Sequence, residues 1–165
     1  WQNYIGYIPQ DIYLLDDSIK NNITFGIDNR NVNQKLLYES IKIAQLEKFI
    51  ESSKNKIDTV VGNRGIRISG GEKQRIGIAR ALYNNPEILI FDEATSALDV
   101  DNENKILDEV YDRIGNKTLI VISHRNNTVK YCDLIYVMEQ GRIIDQGPYA
   151  KIIEKHQYLK ENKLT

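Results

Sequence analysis

Among 165 residues there is a single cysteine, Cys132. One thiol excludes a disulfide framework and points to a reducing compartment. It stands in Tyr131-Cys132-Asp133 ahead of an apolar run, where packing is a plainer reading than nucleophilic chemistry. No apolar stretch reaches the ~18 residues that span a bilayer, and no signal peptide opens the chain. The residues given therefore read as soluble, and a membrane role has to come through a partner or through sequence outside them. Charge of either sign is not in excess: 22 Lys and Arg face 23 Asp and Glu, for a net charge of −1. With no basic block there is no footprint for a nucleic-acid backbone, and no acidic tail marks a solvating arm. Internal repeats and low-complexity tracts are also absent. The opening Trp1-Gln2-Asn3 has no initiator Met and runs almost directly into an apolar segment, so it reads as a cut chain.

What is present is an ordinary globular composition, with 41% hydrophobic residues. That is enough for one domain with a real core. Residues 4–9 read as a short strand ending at Pro9-Gln10. Asp16-Asp17-Ser18 fits a helix start, followed by Asn/Gly/Asp-rich turns. Leu37, Ile41, Ala44 and Phe49 recur at helical spacing and predict one helix over residues 33–53. Residues 59–67 form an irregular connector. Ile68-Ser69-Gly70-Gly71 then leads into a strong helix over residues 72–83, which Pro86 ends. Residues 88–91 are continuously apolar, as a strand buried on both faces would be. A second amphipathic helix covers residues 101–114, with Ile106, Val110 and Ile114 on one face and Gly115-Asn116 as its stop. Residues 118–123 predict another buried strand, 134–138 and 142–145 a hairpin, and 149–160 a closing helix. Strands alternating with helices predict an α/β fold on a parallel sheet.

Four segments carry chemistry. Ile88-Leu89-Ile90-Phe91-Asp92-Glu93 puts two carboxylates at the carboxyl end of a buried strand, where α/β sheets bind ligands. Asp92 suits Mg²⁺ and Glu93 suits polarisation of a water for attack on phosphorus. The bland alternative is a strand that ends in acidic surface residues. Ser69-Gly70-Gly71 at a helix start offers free N–H groups and a positive helix end to a phosphate. Ser69-x-x-Glu72 is also a capping box, and both readings hold together. His124 follows the strand at 118–123 and Gln10 follows Pro9. Each taken alone reads as a surface polar residue.

Order and spacing change that. Tyr7-Ile8-Pro9-Gln10, Ile68-Ser69-Gly70-Gly71-Glu72-Lys73-Gln74-Arg75, Asp92-Glu93-Ala94-Thr95-Ser96-Ala97-Leu98-Asp99 and Ile122-Ser123-His124-Arg125 occur in this sequence. In that order the chain resembles the ABC ATPase family, as its glutamine loop, signature, acidic strand end with aspartate loop, and switch histidine. The likeness runs from about residue 4 to 147. It implies a P-loop NTPase-like parallel sheet flanked by helices, with residues 1–10 and 86–165 as core. A helical signature subdomain over about residues 11–85 would be inserted between them, and the domain would be truncated at its N-terminus. Two departures stand out. Glu72 replaces the usual Gln of the signature. No Gly-Lys pair occurs, so the phosphate loop GxxxxGK[ST] is missing from these residues, and Trp1 lies too close to Gln10 to be the adenine-stacking aromatic.

Asp58-Thr59-Val60-Val61-Gly62-Asn63-Arg64-Gly65 looks like the exporter-specific loop that touches a membrane domain, with Asn63 where an acid is usual. The segment from Asp11 to Ile19 and Thr128-Val129-Lys130-Tyr131-Cys132-Asp133 are similar to bacterial polysaccharide and lipid-linked oligosaccharide flippases. Chromosome-organising members of the superfamily carry a long coiled coil between glutamine loop and signature. Here only 59 positions separate Gln10 from Ser69, which excludes them.

The resemblance implies ATP and Mg²⁺ as ligands, in a head-to-tail dimer with a second ABC ATPase domain. The site would lie at the cytoplasmic face of the inner membrane, against a transmembrane domain. Gln10 would sense Mg²⁺ and the attacking water, Asp92 would support Mg²⁺, and Glu93 would be the general base. His124 would hold the γ-phosphate. Ser69, Gly70, Gly71 and Glu72 would bind the partner's nucleotide, with Asp99 coupling the two sites. The other expectation is that these 165 residues alone form an inactive, signature-bearing interaction module.

Overall fold

The computed structural model describes residues 4–95, 97–115 and 117–156. Trp1, Ser96, Asn116 and residues 157–160 of the expected closing helix lie outside them. The chain divides into two compact units, residues 1–122 and 123–165.

In the first unit, β1 (Ile5–Ile8), β2 (Ile88–Asp92) and β3 (Thr118–Ile122) form a parallel sheet in the order β1-β2-β3. Ile8 stands beside Phe91 and Phe91 beside Val121. All three strands therefore end at one edge. Between β1 and β2 come α1 (Ile19–Ile23), α2 (Gln34–Ile43), α3 (Glu47–Ser52) and α4 (Gly70–Tyr83), and α5 (Val100–Ile114) joins β2 to β3. Ser18 caps α1 through the N–H of Asn21, and Asn33 caps α2 through those of Lys35 and Leu36. The single helix expected over residues 33–53 is two. Gln45 takes a left-handed φ of 55°, which breaks the ladder and lets Leu46 turn fully into the core.

Ile76, Ile78 and Ala79 of α4 are buried against the same core as Ile8, Leu89 and Phe91. Each fully buried Ile, Leu or Phe contributes about 1.5–3 kcal/mol. The Tyr83 hydroxyl accepts the Asn33 N–H at 2.8 Å, tying the start of α2 to the end of α4. α4 crosses β1 at Gly6, where a Cβ would come within 2.8 Å of the Ala81 carbonyl oxygen. Pro86, after the left-handed Asn85, stops α4 as expected.

The strands are less buried than their apolar runs suggest. In β2, Leu89 and Phe91 are buried while Ile88 and Ile90 are half-buried. In β3, Ile120 and Ile122 are 46% and 50% exposed, against the expectation of a buried strand. Among the described residues of this unit, the core packs on the Leu89 and Phe91 face. The opposite face carries Tyr7, Ile120 and Ile122 in the open.

The second unit holds α6 (Asn126–Val129), β4 (Ile135–Glu139), β5 (Arg142–Gly147) and α7 (Tyr149–Lys155). The expected hairpin is present, turning through Gln140-Gly141, both at positive φ. α6 was not anticipated. Asp145 accepts from Lys155 Nζ at 3.1 Å and lies 3.2 Å from His156 Nε2, which fastens the end of α7 to β5.

Parallel sheets are normally covered on both faces. The isolated 165-residue chain should therefore self-associate at high concentration, and Ile120→Asp with Ile122→Asp should return it towards monomer. Light scattering decides this; a clean monomer at high concentration without the substitutions counts against a sticky sheet face.

The bond from Lys155, followed by the Gln146 N–H and His156, holds the Asp145 carboxyl at about 2, below its ordinary 3.8. A depressed carboxyl pKa gives stability that is present above about pH 4 and fades as pH falls towards 2. Amide exchange in α7 should be faster in Asp145→Asn than in the unsubstituted protein at neutral pH, and the two should converge near pH 2.

Candidate functional site

The parallel register brings two of the expected side chains together. Gln10 follows β1 by two residues and Glu93 follows β2 directly. Gln10 Nε2 donates to Glu93 Oε2 at 2.8 Å. The Glu93 N–H donates to the Ile122 carbonyl, extending the β2–β3 ladder one step past Asp92. Glu93 itself sits at a φ of 49°, a left-handed conformation that a non-glycine residue adopts at a cost of about 1 kcal/mol or more. Asp92 lies beside this pair. The Tyr7 hydroxyl donates to its Oδ2 at 2.8 Å, and that bond pushes the Tyr7 phenol above its ordinary value of 10.

The Ser69-Gly70-Gly71 segment opens α4 as expected, with the helix starting at Gly70. Ser69 Oγ accepts the Glu72 N–H and Glu72 Oε2 accepts the Ser69 N–H, the two halves of a capping box. The N–H groups of Gly70 and Gly71 belong to the first turn, which a helix leaves without internal acceptors. A Cβ on Gly71 would stand 3.5 Å from the Ala97 carbonyl oxygen, and one on Gly70 3.6 Å from Ala97 Cβ. The helix start and the loop after Glu93 are thus packed together. Buried Gln74 fixes that contact, its Oε1 accepting the Ala97 N–H at 2.9 Å. From the other side, Thr95 Oγ1 donates to Glu103 Oε1 at 2.7 Å, both side chains buried. Asp99 caps α5: bonds from the Asn102 N–H and side-chain amide lower its pKa, with help from the Arg75 charge.

His124 opens the second unit, two residues beyond the end of β3, and is exposed. Of the four segments singled out in the sequence, three lie in the first unit. Tyr7 and Gln74 fall within the quoted motifs but have no role assigned from sequence, and Glu103 is not singled out there. Alternation along β1 and β2 puts Tyr7 on the Asp92 face, a usable signal; nothing in the sequence marks Gln74 or Glu103 as buried.

Among the described residues no group of three or more His, Cys, Asp or Glu side chains is placed to hold a metal. Two adjacent carboxylates and one amide are a hard, incomplete oxygen set. That fits Mg²⁺, which takes one or two carboxylates and completes its shell with water and phosphate oxygens. The first turn of α4 fits a phosphate.

Residues 1–96 match the ABC transporter family profile. The alpha-hemolysin translocation ATP-binding protein of Escherichia coli is 43% identical over 155 residues, which cover 94% of this chain and 22% of that protein. The ATP-dependent lipid A-core flippase of Francisella tularensis is 38% identical over 154 residues, covering 93% and 25%. A bacterial Atm1-family ABC exporter solved with ATP bound superposes with a TM-score of 0.88 at 38% identity, covering 98% of this chain and 28% of that one. The chain belongs to the ABC transporter family. It spans about a quarter of the length of these curated relatives.

Ser69→Ala removes one half of the capping box and should lower stability by about 1 kcal/mol, a shift of roughly 2–4 °C in Tm. Thermal unfolding of the chain checks this; no shift would mean that the box does not hold the helix start.

Proposed function

We propose that this chain is the ATP-binding and ATP-hydrolysing part of an ABC exporter. The observation that carries the proposal is the meeting of Gln10 and Glu93 at 2.8 Å on the edge where β1 and β2 end. A water bound beside this pair at that edge would have an amide to orient it and a carboxylate to take its proton. In this reading Glu93 is the general base and Gln10 orients the water; Gln10 and Asp92 are the residues that would sense and support Mg²⁺. Bound Mg²⁺ would neutralise charge on the phosphate oxygens.

Ser69, Gly70 and Gly71 would face the γ-phosphate of a nucleotide held by a second ABC ATPase domain, head to tail, with Glu72 fixing their turn. Asp99, beside that turn through the 97–98 segment, would couple the two sites. For His124 as the γ-phosphate contact, the support is the sequence match. Residues 11–85 form the helical subdomain in this reading, inserted between the core segments 1–10 and 86–165. Closure of the dimer around ATP would move a transmembrane domain between two facings, a switch biased by ligand. Exposed Val60 and Ile66, in and beside the loop at residues 58–65, suit contact with that domain. Its place would be the cytoplasmic face of a membrane; among the described residues no helix is long and apolar enough to cross one. A lipid-linked or other amphipathic cargo is supported by the likeness of residues 11–19 to flippases and by the flippase relative. Segments outside these residues would select it.

The second reading, a signature-bearing interaction module without turnover, is favoured for the 165 residues in isolation, because they contain no GxxxxGK[ST]. Calorimetric titration of Mg-ATP into this chain, beside one extended upstream through such a loop, separates the two. Binding by the longer chain alone makes the loop the nucleotide anchor. Comparable binding by both removes that assignment.

In the full-length protein, Glu93→Gln should reduce ATP turnover by about 10²-fold or more while nucleotide still binds. Near-normal hydrolysis by this variant would refute the role given to Glu93.

A further inference from the structure

Arg80 makes contacts that the reading above does not use. It lies in the last turns of α4 and its guanidinium is spent on the segment that follows Gln10. Nε donates to the Asn22 carbonyl at 2.7 Å, Nη1 to the Tyr13 carbonyl at 2.8 Å, and Nη2 to Asn22 Oδ1 at 3.1 Å. The Phe25 ring stacks 5.7 Å from Cζ. Burial lowers the pKa of the group, so its desolvation is set against these fixed acceptors. Asn22 is fully buried and extends the network: Oδ1 also accepts the Leu15 N–H, and Nδ2 donates to the Leu15 and Ser18 carbonyls.

One turn earlier on the same helix, Gly77 takes the weight of Ile12. A Cβ there would lie 2.5, 2.8 and 3.0 Å from three Ile12 side-chain carbons, so Ile12 would have to move bodily. Residues 12–15 are thus strapped onto α4 at two points, beginning two residues after Gln10.

We propose that Arg80 is a positioning residue, which fixes Gln10 relative to the Ser69-Gly70-Gly71 turn by clamping the 12–15 strap to the helix that begins with that turn. A planar fork with donors in three directions is needed to reach two carbonyls and an amide oxygen together, and a lysine ammonium at the same site cannot span them. α4 is a continuous 14-residue helix. The clamp makes the turn at its start and the amide of Gln10 parts of one body, so neither shifts without the other. Arg80 itself touches no nucleotide. The inference rests on the roles given above to Gln10 and to the α4 turn.

The test uses the full-length transporter, with amide exchange in the nucleotide-free protein and steady-state ATP hydrolysis per folded molecule. Arg80→Lys and Arg80→Ala should raise exchange over residues 11–22 by about tenfold while residues 76–79 stay protected. Their kcat should fall by about tenfold or more with KM for ATP changed less than about threefold. Gly77→Ala, which leaves the guanidinium in place, should do the same by lifting Ile12. Adding Ile12→Ala should recover much of the loss, which a general folding defect would not allow. Arg30→Ala, an exposed arginine on the same subdomain, serves as the control and should change neither. Arg80→Ala with unchanged exchange over 11–22, or with kcat within about twofold of the parent, overturns the proposal while leaving the exporter reading intact. Absence of ATP hydrolysis in the parent protein overturns the exporter reading instead, and the exchange comparison still decides whether Arg80 holds the strap.

Discussion

Everything at the candidate site depends on how closely α4 lies on β1. At Gly6 the helix end leaves no room for a side chain: a Cβ would meet the Ala81 carbonyl oxygen and Pro86 Cγ, each at 2.8 Å. Overlap with a backbone oxygen is not relieved by a rotamer change, so a larger residue would have to lift the end of the helix or displace the strand. β1 is also the strand that pairs with β2. One close contact therefore sets two relations at once, helix to strand and strand to strand. The first decides where the Ser69-Gly70-Gly71 turn can be, since it is the other end of the same rod. The second places Gln10 across from Glu93.

Polar groups buried behind this edge then hold the loop after Glu93. Gln74 receives the Ala97 N–H from the helix side and Glu103 receives the Thr95 hydroxyl from the α5 side. An amide and a carboxylate placed so far from water are expensive unless satisfied. Removing either partner strands the other, which makes such pairs specific as well as stabilising. Thr95 and Ala97 are each held by a neighbouring helix and not by the short loop itself, which is why a loop can carry side chains at defined positions.

The sequence was most readable where a residue type has one physical use. Asp92-Glu93 after four apolar residues, Ser-Gly-Gly before a helix, Pro86 after one, and Gly141 in a tight hairpin each came out where their chemistry put them. Periodicity misread residues 33–53 as one helix, because spacings of three to five residues survive a break at Gln45 that only its left-handed backbone reveals. It also gave β3 as buried, because an apolar run reports what a strand is suited to and not what lies over it; Ile120 and Ile122 stand half in the open. Arg80 and Gln74 stand in the sequence simply as polar residues of the helix predicted over residues 72–83. Both depend on partners far along the chain, 58 to 67 positions back for Arg80 and 23 ahead for Gln74, and no local pattern contains those distances.

Glu93 shows how backbone and side chain can point to the same residue independently. Positive φ alone says little, since Gln45, Lys56, Arg64, Asn85 and Gln140 share it. Asn85 and Gln140 lie in turns at the ends of regular elements, where the left-handed region is simply how the chain reverses. Glu93 differs in two respects. Its N–H still belongs to the sheet through the Ile122 carbonyl, so the reversal begins before the ladder has ended. Its side chain also meets Gln10 from a different strand end instead of trailing into solvent. A glycine would hold the same backbone at no steric cost. What glycine cannot supply is the carboxylate, and a strained position occupied by a side chain that bonds Gln10 is better explained by the role proposed for that carboxylate than by the turn it makes.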